Sequence, residues 1–451
     1  MKNAKRGVFF MMHEYIDLNY NPREDEIVCE YYVEPSNGLS LEEAATHIAG
    51  ESSIDTWSDI KTLNPKIAEK LKPHVFFVDN ERSTIKISYK HDLFELESIA
   101  QLLSSIAGNI FSMKLLNNLK LLDVSIPKVM VKKFKGPKFG IQGIRKIVKV
   151  RERPLIGTIV KPKTGLNSKQ HAKVAYESWL GGCDLVKDDE NLTNQKFNRF
   201  EERAKLTLKA REKAEKETGE KKIYMPNITA PTTEEMIRRA KYVKKLGGEY
   251  IMIDIIPTGW TSLQSLRNAN EDLGLVLHAH RCMHSALTRN PKHGISMLAI
   301  AKLIRLIGLD QLHIGTVTGK MHGDKEEVLS IRDECVLKEI KENYYLNILE
   351  QKWYSIKPLF PVASGGLQPT MIPKLYEIFG NDVIMQFGGG IHAHPSGTIT
   401  GARACRQALE ATLKGISLEE ASKNHDELRE AIEKWGIYDE LNLSHSHERR
   451  D

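Results

Sequence analysis

From residue 157 onward the chain repeats one pattern eight times: a short, almost wholly apolar run, then a charged amphipathic segment. The runs are GTIVKP (157–162), CDLVKD (183–188), IYMPNIT (223–229), YIMIDII (250–256), LVLHAHR (275–281), DQLHIGT (310–316), LFPVASG (359–365) and DVIMQFG (382–388). A strand that is apolar on both faces has to be covered on both, as in a parallel sheet flanked by helices. The intervening segments supply those helices. Residues 199–218 stop at Gly219; residues 232–246 open on a T-T-E-E capping box and stop at Gly247. Their charges read as solvated faces. Eight such units predict an α/β chain with a C-terminal (β/α)8 TIM barrel. An open doubly wound sheet is the alternative, but no G-x-G-x-x-G fingerprint opens its first unit.

The first 136 residues follow a different pattern. DEIVCEYYVEP alternates, placing Ile27, Cys29, Tyr31 and Val33 on one strand face. Ser40 and Glu43 form a capping box for a short helix to Gly50, RSTIKISYK alternates again, and residues 92–107 read as a helix stopped by Gly108. Mixed strands and helices predict an N-terminal α+β domain over 1–136 with an antiparallel sheet. The Lys- and Gly-rich stretch 132–146 reads as the linker into a barrel domain over 137–451, which ends in a helical extension.

In a barrel the chemistry belongs at the C-terminal ends of the strands. Those ends carry Lys161 and Lys163; Lys187, Asp189 and Glu190; Asn227; Asp254; His278, His280 and Arg281; His313; Ser364, Gly365 and Gly366; and Gly388, Gly389 and Gly390. Asp254 and His278 sit inside their strands and read as structural. A purely scaffolding barrel has no use for so many ionisable ends. In GGCDLVKDDE (181–190), Lys187 and Asp189 share a strand face, and Glu190 follows where the strand runs out. Two carboxylates there are a hard-oxygen set suited to Mg2+. A solvated loop with an internal ion pair is the other reading of this stretch. The Gly pairs after the seventh and eighth runs let backbone N–H groups approach a phosphate. Arg281 and His313 suit a second one. Two phosphate sites around a Lys–carboxylate centre predict a bisphosphorylated sugar as substrate. In TVTGKMHGD (316–324), glycines flank Lys320, as suits a loop that closes over a ligand. ESSIDTW (51–57) groups Glu51, Thr56 and Trp57, and Asn109 follows a helix-stopping Gly; by themselves these read as local turn chemistry.

The chain has 451 residues and a net charge of +6, too small a charge to suggest a nucleic-acid partner. No apolar run approaches a membrane span, and MKNAKRGVFFMM is too short for a signal peptide. Five scattered cysteines with no C-x-x-C predict neither a disulfide scaffold nor a zinc site, and a cytoplasmic location.

The motifs GTIVKPKTGL, GGCDLVKDDEN, HAHRCMH, GTVTGKM, PVASGG and QFGGG occur in this order. With them the chain resembles the large subunit of ribulose-1,5-bisphosphate carboxylase/oxygenase (RuBisCO), from IDLNY (16–20) to beyond GGGIHAHP (388–395). The wording of the N-terminal region and the lack of long insertions look most like the archaeal form III branch.

The resemblance implies a ferredoxin-like N-terminal domain and an Mg2+-dependent carboxylase. In it Lys187 is carbamylated by an activating CO2, and the carbamate, Asp189 and Glu190 hold the metal. Lys161 and Lys163 would lower the Lys187 pKa by like-charge repulsion. By the same resemblance Lys161 is the acid/base at C2, supported by Lys163. Lys320 stabilises the new carboxylate, and His280 contacts the C3 hydroxyl region. Arg281 and His313 bind one phosphate, with Ser364 on a sugar hydroxyl. Thr56, Trp57, Gly365, Gly366, Gly388 and Gly389 surround the other. Glu51 and Asn109 come from the N-terminal domain of a second subunit, so the implied active unit is a homodimer or an assembly of dimers, with no small subunit. CO2 or O2 is the second substrate, the products of carboxylation are two molecules of 3-phosphoglycerate, and nucleoside-monophosphate (AMP) salvage supplies the sugar.

Three places depart from the family's usual wording: Thr164 for Leu, Thr318 for Val, and Met321-His322 for the Leu-Glu common in plants. The last two lie in the lid, where closure and CO2/O2 discrimination are set. The rival reading is a RuBisCO-like enolase or isomerase of a phosphorylated sugar or thiosugar. Such proteins usually lose the lid Lys or phosphate residues that this chain keeps. A non-catalytic protein on an enzyme fold is a second rival.

Overall fold

The protein is described here from a computed structural model covering residues 15–55, 62, 64–318 and 325–438. Thr56, Trp57, Lys320, Met321, His322 and the tail 444–451 lie outside the described residues. The chain divides into two compact units. One comprises the described residues of Met1–Pro137 with Met283–Gly308 and Asp333–Pro358; the other comprises Lys138–Cys282, Leu309–Arg332 and the described residues of Leu359–Asp451.

In the first unit, strands β1 (Glu26–Pro35), β2 (His74–Asp79), β3 (Thr84–Lys90) and β4 (Leu116–Ser125) form an antiparallel sheet in the order β4-β1-β3-β2. A short strand, Gly294–Ile295, adds to β4 in parallel. Helix Leu41–Glu51 lies between β1 and β2, and helix Ile99–Ile106 between β3 and β4. This β-α-β-β-α-β order is the ferredoxin-like arrangement. The alternation of β1 has its physical outcome: Ile27, Cys29, Tyr31 and Val33 are all fully buried. The Ser40 box forms as read, with the Glu43 N–H donating to Ser40 Oγ at 3.1 Å and the Ser40 N–H donating to Glu43 Oε2 at 2.9 Å.

Two readings need correction here. The helix expected over 92–107 is a 3-10 turn, His91–Leu93, and then a shorter helix, Ile99–Ile106. Phe94 between them is extended and buried edge-on to Tyr89, so it serves the core from a non-helical backbone. Ser98 is the true cap, accepting from the Gln101 N–H at 3.1 Å. The linker expected over 132–146 ends in helix Gly140–Val148, whose Ile141, Ile144 and Val148 are buried on one face.

The second unit is the barrel. Its strands are β5 (Leu155–Ile159), β6 (Leu185–Lys187), β7 (Ile223–Met225), β8 (Tyr250–Asp254), β9 (Val276–His280), β10 (Gln311–Gly315), β11 (Phe360–Ser364) and β12 (Ile384–Phe387). All pair in parallel, in the order β7-β6-β5-β12-β11-β10-β9-β8. A bridge between Asn227 and Met252 joins the two ends of that order, so the sheet closes on itself. Seven of the eight apolar runs contain their whole strand, whereas β5 starts two residues ahead of its run, at Leu155; every strand stops short of its run's end, because the polar residues there leave the ladder.

Helices Phe200–Thr218 and Thr233–Lys245 lie where the charged segments predicted them. The second one's capping box is only half made. Thr232 Oγ1 accepts from the Glu235 N–H at 3.2 Å, but the Glu235 carboxylate turns to the guanidiniums of Arg238 and Arg239 at 2.6 and 2.9 Å. Two charge-assisted bonds outweigh one to a backbone N–H. Ahead of β6, Asp184 takes a two-pronged bond from Arg153, 2.7 Å on each oxygen. No helix among the described residues is long and apolar enough to cross a membrane.

Candidate active site

β5 and β6 pair with Ile159 opposite Lys187, so the residues just beyond both strands meet. Lys161 Nζ donates to Asp189 Oδ2 at 2.6 Å. Lys187 is 1% exposed, and its Nζ donates to the Asp188 carbonyl at 3.0 Å and contacts Met252 Sδ at 3.5 Å. Glu190 Oε2 stands 3.9 Å from that nitrogen.

A buried ammonium with so few close anions is poorly solvated. Burial pushes the Lys187 pKa down, more strongly than Glu190, Asp189 and Asp254 raise it. This corrects the physical cause expected from sequence. Repulsion from Lys161 contributes only a small part, and Lys163 is exposed. Burial by itself would raise the Asp189 carboxyl; the Lys161 ammonium and Asn191 hold it below its ordinary value.

Asp188 belongs to another network. Strand alternation turns it away from Lys187 and Asp189. There it accepts from Arg203 Nε at 2.9 Å, the Tyr224 hydroxyl at 2.6 Å and the Asn227 N–H at 2.9 Å, with His171 Nε2 at 3.0 Å. These partners hold its carboxyl well below the usual range despite complete burial. They also brace the turn that carries Asp189 and Glu190, because Asn227 Nδ2 donates to the Glu190 carbonyl at 3.2 Å.

Across the barrel mouth, His280 Nε2 lies 3.7 Å from Glu190 Oε2. Burial keeps the His280 pKa below its ordinary value. Behind it runs a chain of contacts. His278 Nδ1 is 2.7 Å from Gln311 Oε1, His278 Nε2 is 2.8 Å from His313 Nε2, and His313 Nδ1 is 2.6 Å from Ser364 Oγ. Burial holds His278 at about 3 and His313 well below its ordinary value, so both rings are neutral at pH 7.

Arg281 follows β9, and burial lowers its pKa to about 10. It remains a cation in surroundings that disfavour one, which suits an incoming anion. Gly315 explains how it fits. At φ +100° Gly315 adopts a backbone that side chains rarely take, and a Cβ there would lie 2.9 Å from Arg281 Nη2. Gly365 and Gly366 leave β11 with φ of +122° and +74°. Gly388 lies against Lys161, whose Cε would be 3.7 Å from an added Cβ, while Gly389 has open space there. In the first unit, Asn109 Nδ2 is 3.5 Å from Glu51 Oε1, so the structure brings those two together.

Two family models match the chain: the catalytic domain of the ribulose bisphosphate carboxylase large chain over residues 140–435, and its N-terminal domain over residues 14–130. The chain belongs to the RuBisCO large-chain family. A ribulose bisphosphate carboxylase from Methanosarcina mazei is 64% identical over 425 residues, 94% of this chain and 99% of the relative. One from Methanocaldococcus jannaschii is 51% identical over 429 residues, 94% of this chain and 100% of the relative. Among solved structures, a dimeric archaeal RuBisCO from Hyperthermus butylicus matches with a TM-score of 0.90 at 45% identity, covering 95% of this chain and 100% of its own. An octameric RuBisCO from Pyrococcus horikoshii, in complex with sulfate ion, matches with a TM-score of 0.88 at 47% identity, covering 94% of this chain and 97% of its own.

Within this RuBisCO barrel the sequence reading passed over three contributors. His278 reads as structural in sequence, yet it links Gln311 to His313. Its place two residues before His280, on the same strand face, was the available signal. Asp188 carries no signal of its own, because its partners come from three separate segments. Gly315 is one Gly among 31 in the sequence, and only the positive φ beside Arg281 shows its use.

Proposed function

We infer that this chain is a ribulose bisphosphate carboxylase, a carboxy-lyase that adds CO2 to ribulose 1,5-bisphosphate and yields two molecules of 3-phosphoglycerate. The observation that carries the reading is Lys187: a buried amine of lowered pKa at a strand end, beside two carboxylates and a second lysine. A neutral amine has the free lone pair that attacks CO2, and the carbamate forms as the nitrogen releases a proton to solvent. With Lys187 in that form, Asp189 and Glu190 complete an all-oxygen set for a hard dication. Bound there, Mg2+ supplies Lewis acidity toward the C2 carbonyl and C3 hydroxyl.

The chain's own groups do the rest. Lys161, poised at Asp189, exchanges the proton at C2. His280 faces the C3 hydroxyl. Ser364, held by His313, contacts a sugar hydroxyl. Arg281 supplies fixed charge to one phosphate, and the neutral His313 orients groups there without adding charge. Gly365, Gly366, Gly388 and Gly389 leave room for the other phosphate. Thr56 and Trp57 serve that phosphate, and Lys320 the new carboxylate, by family resemblance. So do Glu51 and Asn109, given across a homodimer or a larger set of dimers without a small subunit. O2 as an alternative substrate, form III character and a role in AMP salvage are proposed on the same resemblance.

The test is fixation of labelled CO2 on ribulose 1,5-bisphosphate, with and without preincubation in CO2 and Mg2+. Preincubation is expected to raise the rate, and Lys187→Met to abolish it. Full activity in CO2-free enzyme, measured before carbamate forms, refutes the role given to Lys187.

A further inference from the structure

The imidazole of His280 has two sides. Nε2 faces Glu190, as described. Nδ1 faces away, 3.3 Å from Asp254 Oδ1, and accepts from the Cys282 backbone N–H at 3.3 Å, a bond that a cation on Nδ1 would displace. The two residues are register partners in the β8–β9 ladder, so sheet pairing, not a loop, sets this approach. Asp254 is 3% exposed, and its Oδ1 has no hydrogen-bond partner among the described residues. The other oxygen is occupied, by Asn227 Nδ2 at 3.1 Å and Thr229 Oγ1 at 3.2 Å. Cys282 closes the arrangement: one ligand atom each from Asp254, His280 and Cys282 lie within 4.8 Å of one another.

We propose that Asp254, His280 and Cys282 form a site for a thiophilic divalent cation of the zinc class, and that its occupancy inhibits carboxylation. The donor set is one carboxylate oxygen, one imidazole nitrogen and one sulfur. That is a borderline-to-soft set, which selects zinc-like ions over Mg2+. A tetrahedral zinc with bonds of about 2.0–2.1 Å to N and O spaces those donors by about 3.3–3.4 Å. The 3.3 Å between His280 Nδ1 and Asp254 Oδ1 is that spacing. Burial, with Asp254 and Glu190 nearby, holds the Cys282 thiol up at about 12, so binding releases its proton to solvent as the metal–sulfur bond forms. A water completes the fourth position. The inhibitory part rests on the carboxylase reading above. A cation on Nδ1 fixes the His280 ring and places two positive charges beside Glu190, whose negative charge the Mg2+ centre needs.

The experiment uses purified, CO2- and Mg2+-activated protein. Co2+ is titrated in as a spectroscopic probe, and Zn2+ as the inhibitor. One Co2+ per chain with a thiolate-to-metal charge-transfer band is expected, together with zinc inhibition reversed by a chelator. Cys282→Ala, with Cys282→Ser as a second variant, is expected to keep zinc-free fixation, lose the band and need more than about tenfold higher Zn2+ for the same inhibition. No band in the unmodified protein overturns the site. Equal zinc sensitivity in the folded, active variants overturns the inhibitory role, since zinc is then competing at the Mg2+ centre. A band that forms in a protein fixing no CO2 under any condition supports the metal site and refutes the carboxylase reading instead.

Discussion

His278 Nε2 and His313 Nε2 lie 2.8 Å apart inside the barrel, and neither ring is charged at pH 7. One nitrogen must then donate and the other accept. Gln311 Oε1, an acceptor, takes the proton of His278 Nδ1, so His278 Nε2 accepts from His313. His313 Nδ1 is left to accept from the Ser364 hydroxyl. The serine oxygen therefore presents lone pairs to the substrate, and a glutamine two residues away in the chain from His313 fixes that direction.

Replacing His278 tests this relay. His278→Leu leaves His313 Nε2 unpaired in a buried site, which costs about 1–3 kcal/mol. If that cost falls on the transition state, kcat/KM for ribulose 1,5-bisphosphate drops roughly 5- to 150-fold while the circular dichroism stays unchanged. His278→Gln, which keeps a hydrogen-bonding group, should recover part of the loss. Equal activity in His278→Leu and the unmodified protein would show that the relay does not matter to Ser364.

Activation should depend on pH in a specific direction. Carbamate forms on the neutral amine, and burial lowers the Lys187 pKa. Activation by CO2 and Mg2+ should therefore speed up as pH rises and level off below the ordinary lysine value of about 10.4. Stopped-time assays over a pH series measure this. A plateau reached only at or above that value would mean Lys187 behaves as a solvated lysine.

Asp184 should govern acid stability. Burial would raise its carboxyl, but Arg153 and Arg406 hold it at about 2, against about 3.9 unfolded. A lowered carboxyl pKa adds stability that is complete above the unfolded value and disappears as pH falls through the folded one. The window is therefore about pH 4 to about pH 2, and the contribution about 3 kcal/mol. Asp184→Asn should lower stability at pH 7 by about 3 kcal/mol, since it leaves the half-buried Arg153 without its anion. It should also flatten the loss between pH 4 and 2. Chemical denaturation of both proteins checks this; parallel acid curves would exclude Asp184 as the source.

The proposed sharing of sites between subunits makes a quantitative prediction. Lys187→Met and Glu51→Gln chains, each nearly inactive alone, are co-expressed. Random pairing makes about half the dimers hybrid, each with one intact site of two, so roughly a quarter of full activity returns. Verified hybrids without any recovery would place Glu51 at its own subunit's barrel.

The sequence by itself determined the architecture. Eight apolar runs between charged segments can hide both faces of each strand only in a helix-covered parallel sheet, and the strand ends then collect Lys161, Lys187, Asp189, Glu190, His280 and Ser364 at one mouth. Alternation and caps likewise determined β1 and the Ser40 helix. Where two local patterns competed, as at Phe94 and Glu235, tertiary contacts chose between them. Only the fold decided what each ionisable group is at neutral pH. Lys187 and His313 owe their lowered pKa mainly to burial, and Asp188 its firm charge to partners from distant segments. Burial and long-range pairing are properties of the packed molecule, so spacing along the chain carries no record of them.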